Sequence, residues 1–292
     1  MLRLLTILLI WWLLLACINT AGKGRLWPKT DVGKEGLLGN VKSVEETRYA
    51  VNEKGNKDSF GIRIIQRFDI QGNMVEHSDT DARTSTERQG MDPMSTRRDM
   101  FTYDSHQRVI EQNDYRGAPR YTISKSITVY STDGRHSVGN DYENGVVTSK
   151  TVRSYDSRGN KIIDSMFNAH DTLLERTVFS YDDSDNPVSE SKFNGENKLT
   201  EVTKWKYDRF HNELESDVFD AVGNTHWVVK SSYDTSGNPI EQRNYFKDRL
   251  ANAYTLKYER LDNHGNWLIQ KEYSAGQLQY ITERLIEYWY GR

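Results

Sequence analysis

A tyrosine that returns at near-constant intervals constrains this chain more than any other feature. Tyr103, Tyr130, Tyr155, Tyr181, Tyr207, Tyr233 and Tyr258 are separated by 27, 25, 26, 26, 26 and 25 residues, and Phe68 fits as an earlier member 35 residues before Tyr103. A fixed period of this size marks an array of supersecondary units, each burying its apolar surface against its neighbours.

Each unit reads as two strands. Ahead of Tyr207, Trp205 shares its face while Lys204 and Lys206 take the other, and Tyr254, Leu256 and Tyr258 repeat the alternation. A period of two belongs to a half-buried strand. The Asp after the Tyr (Asp156, Asp182, Asp208, Asp234) starts a turn, because its carboxylate can accept hydrogen bonds from amides two residues on. Gly159, Gly237 and Gly265 can take the positive φ of a short hairpin loop, and Asn160, Asn238 and Asn266 follow them. The return strand then carries a branched apolar residue two places after the Asn and an aromatic five residues later: Phe167, Phe193, Phe219, Tyr245 or Tyr273. Five is odd, so these two positions face opposite ways unless a bulge or a strand end intervenes, and one is expected there.

The fold predicted is all-β, an antiparallel meander built as a repeat array of two-stranded units of about 26 residues. Two strands per unit give roughly 16 strands, in a curled or spirally wound sheet. YDSRGN, YDTSGN, YDDSDN and YDRFHN resemble the YD repeats of the Rhs family, over roughly residues 60 to 290. The resemblance implies the spiral winding and, loosely, carbohydrate binding. This chain departs from the family in favouring Gly-Asn over Gly-Arg, in its longer period, and in lacking the Asp-Pro-x-Gly-Leu signature that closes Rhs cores.

Residues 1–22 read as a lipoprotein signal peptide with the start of the mature chain. Arg3 supplies the charge, the apolar run from Leu4 to Ala16 is too short to span a membrane as a helix, and Leu14-Leu15-Ala16-Cys17 fits a lipobox. Cys17 is the one cysteine of the chain and the expected lipid (palmitate) attachment point. Ile18 after it favours outer-membrane sorting, by resemblance to bacterial lipoproteins. Residues 23–35 read as a tether, 36–292 as the repeat domain, and the polar stretch 77–99 as an inserted loop.

Composition narrows function. The formal charge is −3, and removing the leader with Arg3 leaves −4, so nothing points to nucleic acid. The chain is too polar to bury both faces of its sheet. Lys204, Lys206, Lys230 and Lys257 on one face argue against a transmembrane barrel. His106, His211 and His264 fall in repeat turns, His170 and His226 in or near the opposite connections, so turn chemistry rather than metal binding is expected of them. The oxygen-rich turn Asp182, Asp183, Asp185, Asn186 lacks calcium-loop spacing. Asp164, Glu190, Glu215 and Glu241 recur at repeat spacing and read as a solvated charged ladder rather than a glycosidase pair. No catalytic residue, metal or cofactor is expected. The candidate ligand-binding residues are Trp205, Trp227 and Trp267. The leading expectation is a lipid-anchored, non-catalytic binding or scaffold protein of the bacterial envelope, with carbohydrate the ligand class. The alternative is a structural or assembly accessory that binds another envelope or secretion-complex protein.

Overall fold

In the computed structural model, which describes residues 30–81, 96–116 and 121–290, the units fold as antiparallel strand pairs. A short helix, α1 (Asp31–Lys34), comes first, with the Thr30 hydroxyl accepting from the Gly33 amide as its N-cap. Then follow β1 (Val41–Val51), β2 (Lys57–Phe68), β3 (Met74–Asp81), β4 (Thr96–Tyr103), β5 (Val109–Arg116) and β6 (Tyr121–Tyr130). The middle of the chain gives β7 (His136–Glu143), β8 (Val146–Tyr155), β9 (Lys161–Asn168), β10 (Leu173–Tyr181), β11 (Pro187–Asn194) and β12 (Leu199–Tyr207). The last six are β13 (Glu213–Asp220), β14 (Thr225–Tyr233), β15 (Pro239–Phe246), β16 (Arg249–Leu261), β17 (Trp267–Ser274) and β18 (Gln277–Tyr288).

Every strand pairs with the next in sequence, and β18 pairs with β1, from Val44 opposite Ile286 to Ala50 opposite Tyr280. The sheet is therefore a closed 18-stranded barrel. The all-β antiparallel meander is as expected; the spiral winding is corrected. Closure pairs the two edges that a spiral would leave exposed. The terminal stretch from Ile281 to Trp289, read as the closing strand that caps an edge, instead joins the first strand through β18.

The repeat motif has a defined job at one rim. Asp182 Oδ1 accepts from the amides of Ser184 and Asn186 at 2.8 and 2.9 Å, and Oδ2 accepts from Asn186 Nδ2 at 2.8 Å. Asp69, Asp156, Asp208 and Asp234 bond their turns in the same way. The residue before the Asn needs positive φ, supplied by Gly159 at 90° and by His211 at 69°. Each tyrosine then ties its unit to the preceding one. The hydroxyls of Tyr181, Tyr207, Tyr233 and Tyr258 donate to the carbonyls of Lys161, Pro187, Glu213 and Pro239 at 2.8–2.9 Å. Tyr103 reaches Met74 O at 2.7 Å, and Tyr155 reaches the Ser137 hydroxyl at 3.2 Å and lies beside Tyr130. Tyr288 is a further rung that the spacing did not reveal: it bonds Asp262, and Asn266 Nδ2 donates to it at 2.8 Å. These turns form the aspartate rim. The expected bulges occur at both ends of the return strands, as between Lys206 and Tyr207 and between Val218 and Phe219.

Cross-strand register sorts side chains into two faces. Val44, Ile64, Gln66, Asp99, Asp114, Ser137, Thr177, Asn244 and Thr282 fall on one face, and all are buried. On the other, Glu76 is the buried side chain among the described residues. The crowded face is the concave one. Helix α1 packs against it at the aspartate rim, where Val32 and Leu37 join Val41, Val44 and Phe68 in the one apolar cluster described. From β8 to β16, Thr177 and Asn244 are the only buried inward strand side chains, so this part of the interior is not a filled core.

Two boundaries shift. The expected tether 23–35 contributes α1, held by Val32 N donating to Gly72 O at 3.1 Å and by Asp31 Oδ2 accepting from Met74 N at 2.8 Å. The expected insertion 77–99 supplies the end of β3 and the start of β4; 82–95 lie outside the described residues, as do the signal peptide and Cys17.

Candidate functional site in the barrel interior

The inner wall divides by charge. On β1 to β5, β17 and β18 it carries Glu46, Arg48, Asp79, Arg97, Asp99, Asp114, Glu272 and Arg284. All of these but Asp79 are seen in pairs with one another. Arg48 meets Glu272 at 2.8 Å and lies over the Tyr280 ring at 3.9 Å. Arg97 lies 3.2 Å from Asp99 and 3.6 Å from Asp114. Arg284 pairs with Glu46 at 2.5 Å and stacks on Trp267 at 3.4 Å from its ring centre. Glu35, just past α1, enters this sector beside Gln66 and Arg284; desolvation, followed by the charge of Glu46, pushes its carboxyl up to about 7. His77, also inward, is held below its ordinary value by burial.

Mid-wall from β12 to β16 the chemistry changes. Thr203, Trp205, Ser216, Val218, Trp227, Val229, Ser231, Gln242, Asn244, Asn252 and Tyr254 face inward by register, and none is ionisable near neutral pH. Trp205 sits opposite Ser216 and Trp227 opposite Val218, so the two indoles lie two strands apart and two residues out of level. Strand geometry places their backbones about 10 Å apart across the sheet and about 7 Å along it. Both are half-buried, and Phe246 lies beside Trp227 with ring centres 6.1 Å apart. Asn244, 2% exposed, bonds Asn252 and accepts from Gln242 Nε2, which fixes the amides beside the rings. Aromatic faces next to amides and hydroxyls suit a neutral, hydroxyl-rich ligand: the rings take apolar C–H faces and the amides take donors and acceptors.

The three nominated tryptophans do not form one group. Trp205 and Trp227 share the neutral sector. Trp267 is 7% exposed, shut between Arg284 and Tyr258, and belongs to the packing of the ionic sector. Ring contacts with Tyr258 and Arg284 put Trp267 on the inner side, next to the positive φ of Arg260 (55°), which the sequence period alone does not reveal. The carboxylates expected to form one ladder separate: Asp164 and Glu190 face inward, Glu215 and Glu241 outward. Glu215 bridges Lys206 and Lys230, and Asp164 bonds Lys161 at 2.6 Å. His211 accepts or donates within a turn-to-turn contact to Asn186 at 3.1 Å, and His264 stacks on Tyr288. Among the described residues, no group of three or more His, Cys, Asp or Glu side chains could hold a metal ion. Asp182 spends its carboxylate on its own turn, as Asx chemistry predicts.

The outer face carries Lys204, Lys206, Glu215, Asp217 and Lys230 in mid-strand. A membrane-spanning barrel presents an apolar band at that height, where this wall presents charged side chains.

No family model matches the chain, and no curated protein matches its sequence. Among solved structures it is similar to a porin-like protein from Bacteroides uniformis, at 10% identity and a TM-score of 0.45, over 85% of this chain and 98% of that one. A porin-like protein from Bacteroides vulgatus matches at 9% identity and 0.26, over 83% and 97%. A β-barrel-like protein of a domain of unknown function from Brucella abortus matches at 8% identity and 0.20, over 86% and 99%. Likeness at these scores carries no functional argument.

Proposed function

We propose that the chain is a lipid-anchored, non-catalytic binding protein of the bacterial envelope, whose barrel interior holds a neutral glycan segment against Trp205 and Trp227. The observation that carries this reading is the uncharged middle of the wall from β12 to β16, with its two half-buried indoles and fixed amides; the inward carboxylates Glu201 and Asp220 lie toward the strand ends. The lipobox ending at Cys17 supports the anchor, and Ile18 after it, by resemblance to bacterial lipoproteins, supports the outer membrane as location. The YD-like turns support the same ligand class. The test uses chain 18–292, which retains every described element from Thr30 onward, presented to neutral and acidic glycans. Saturable capture of a neutral glycan is expected, lost in Trp205→Ala and in Trp227→Ala and kept in Trp267→Phe. Capture of one envelope protein and no glycan would move the case to an assembly accessory.

A further inference from the structure

The outer face carries a second pattern at the rim opposite the aspartate turns. The aromatic that ends each return strand points outward there: Phe167, Phe193, Phe219, Tyr245 and Tyr273, with Tyr49 on β1. A cation from the neighbouring strand covers most of these rings. Lys150 lies 5.1 Å from the centre of Phe167, Arg176 4.8 Å from Phe193, Lys204 5.4 Å from Phe219, Lys257 5.0 Å from Tyr273 and Lys57 4.4 Å from Tyr49. These cations start from different strand positions, yet their heads meet at the level of the rings. Among the described residues, Arg176, Lys204 and Lys257 have no carboxylate partner. Just beyond the belt, the turns of this rim expose apolar side chains: Val222 is 82% exposed, Val146 66% and Leu250 57%.

We propose that this rim seats on an anionic lipid surface, its apolar tips entering the headgroup layer and the encircling rings and cations lying at the interface. The barrel closes, so an aromatic repeated at one position in each unit traces a ring at one height. Such a ring fits a planar partner along its whole length, which a protein docked on one side cannot do. Aromatic rings, three of them tyrosines with a polar hydroxyl, and basic heads are side chains that an interface with lipid phosphates favours. Burial is limited to the rim, since Lys206 and Glu215 stand above it on the outer wall. The proposal does not require the lipid on Cys17 or a glycan in the interior.

The experiment uses chain 18–292, which lacks the leader and the lipidated cysteine, in co-sedimentation with vesicles. Binding is expected on phosphatidylcholine–phosphatidylglycerol vesicles, falling as salt rises, and absent on phosphatidylcholine alone. Arg176→Gln with Lys204→Gln and Lys257→Gln lowers affinity on the order of 100-fold, from about fivefold per charge. Val222→Ser with Leu250→Ser weakens binding with no change of charge, while Ile70→Ser with Leu261→Ser, exposed tips of the aspartate rim, leaves it unaltered. The same unfolding midpoint in all variants shows that the barrel is intact. No sedimentation with anionic vesicles, an unaffected triple variant, or equal losses from the two rim pairs would overturn the proposal. Release by a soluble polyanion, with no retention on vesicles, would overturn it in favour of an acidic polymer.

Discussion

Asp182→Ala and Asp220→Ala remove the same three hydrogen bonds from two turns that differ in burial. At Asp182 the carboxylate accepts from Ser184 N, Asn186 N and Asn186 Nδ2; at Asp220 it accepts from Val222 N, Asn224 N and Asn224 Nδ2, all between 2.8 and 3.1 Å. Asn186 is 2% exposed and contacts His211 of the next turn, whereas Asn224 is exposed. Removing Asp182 strands two buried donors on Asn186 that water cannot reach, at about 1–2 kcal/mol each, so the loss is roughly 2–4 kcal/mol. Removing Asp220 lets water replace every lost acceptor, and the cost is much smaller. Urea unfolding followed by tryptophan fluorescence, at pH 7 and fixed salt, measures both. The midpoint of Asp182→Ala shifts clearly downward with an unchanged slope, and that of Asp220→Ala scarcely moves. Equal shifts would refute the argument that burial of the Asn, rather than the number of bonds, sets the worth of each turn.

Tyr233→Phe removes one inter-unit bond to Glu213 O and should cost about 1 kcal/mol, read from the same urea midpoint. Asp104, Asp156, Asp182 and Asp262 are held below the usual carboxylate value; burial opposes this, but the bonds they accept outweigh it. Their folded pKa lies below the unfolded one, so their contribution is full above the unfolded value and is lost as pH falls through the folded one; thermal melts should show acid destabilisation below about pH 4. Glu35 has the opposite sign: raised to about 7, it is best accommodated protonated, so stability declines as pH rises from its ordinary value of 4.5 toward 7 and then levels off. Glu35→Gln should flatten that slope, and melts of the two proteins that stay parallel across this range would refute the placement of its carboxyl.

The strand pairs, the turn chemistry and the antiparallel order were all legible in the repeat, because alternation and turn residues are local signals. Closure was not. It depends on register summed over the whole sheet and on β1 meeting β18 across more than two hundred residues, to which no short motif answers. Tyr288 escaped notice because Trp289, not Asp, follows it. Thr30-Asp31 was an available helix-start signal inside the presumed tether. For the site, the residue types were found but their grouping was not: only the ring contacts with Arg284 and Tyr258 place Trp267 in the ionic sector, and only the register separates Asp164 from Glu215. The outward belt was visible as a recurring aromatic, but its direction depended on the bulges.

The pairing of the first strand with the last has a consequence for how the chain can be cut. Trp289 N donates to Asn40 O at 2.8 Å, so the ends of the barrel-forming segment are neighbours. A ring of similar units has no natural first member. Joining residue 290 to residue 30 by a linker long enough to reach α1 and reopening the chain at an exposed tip such as Val222 should give a circular permutant with the same strand order around the ring. The permutant would differ in which hairpins form early, because contacts that now wait for the end of synthesis would become local.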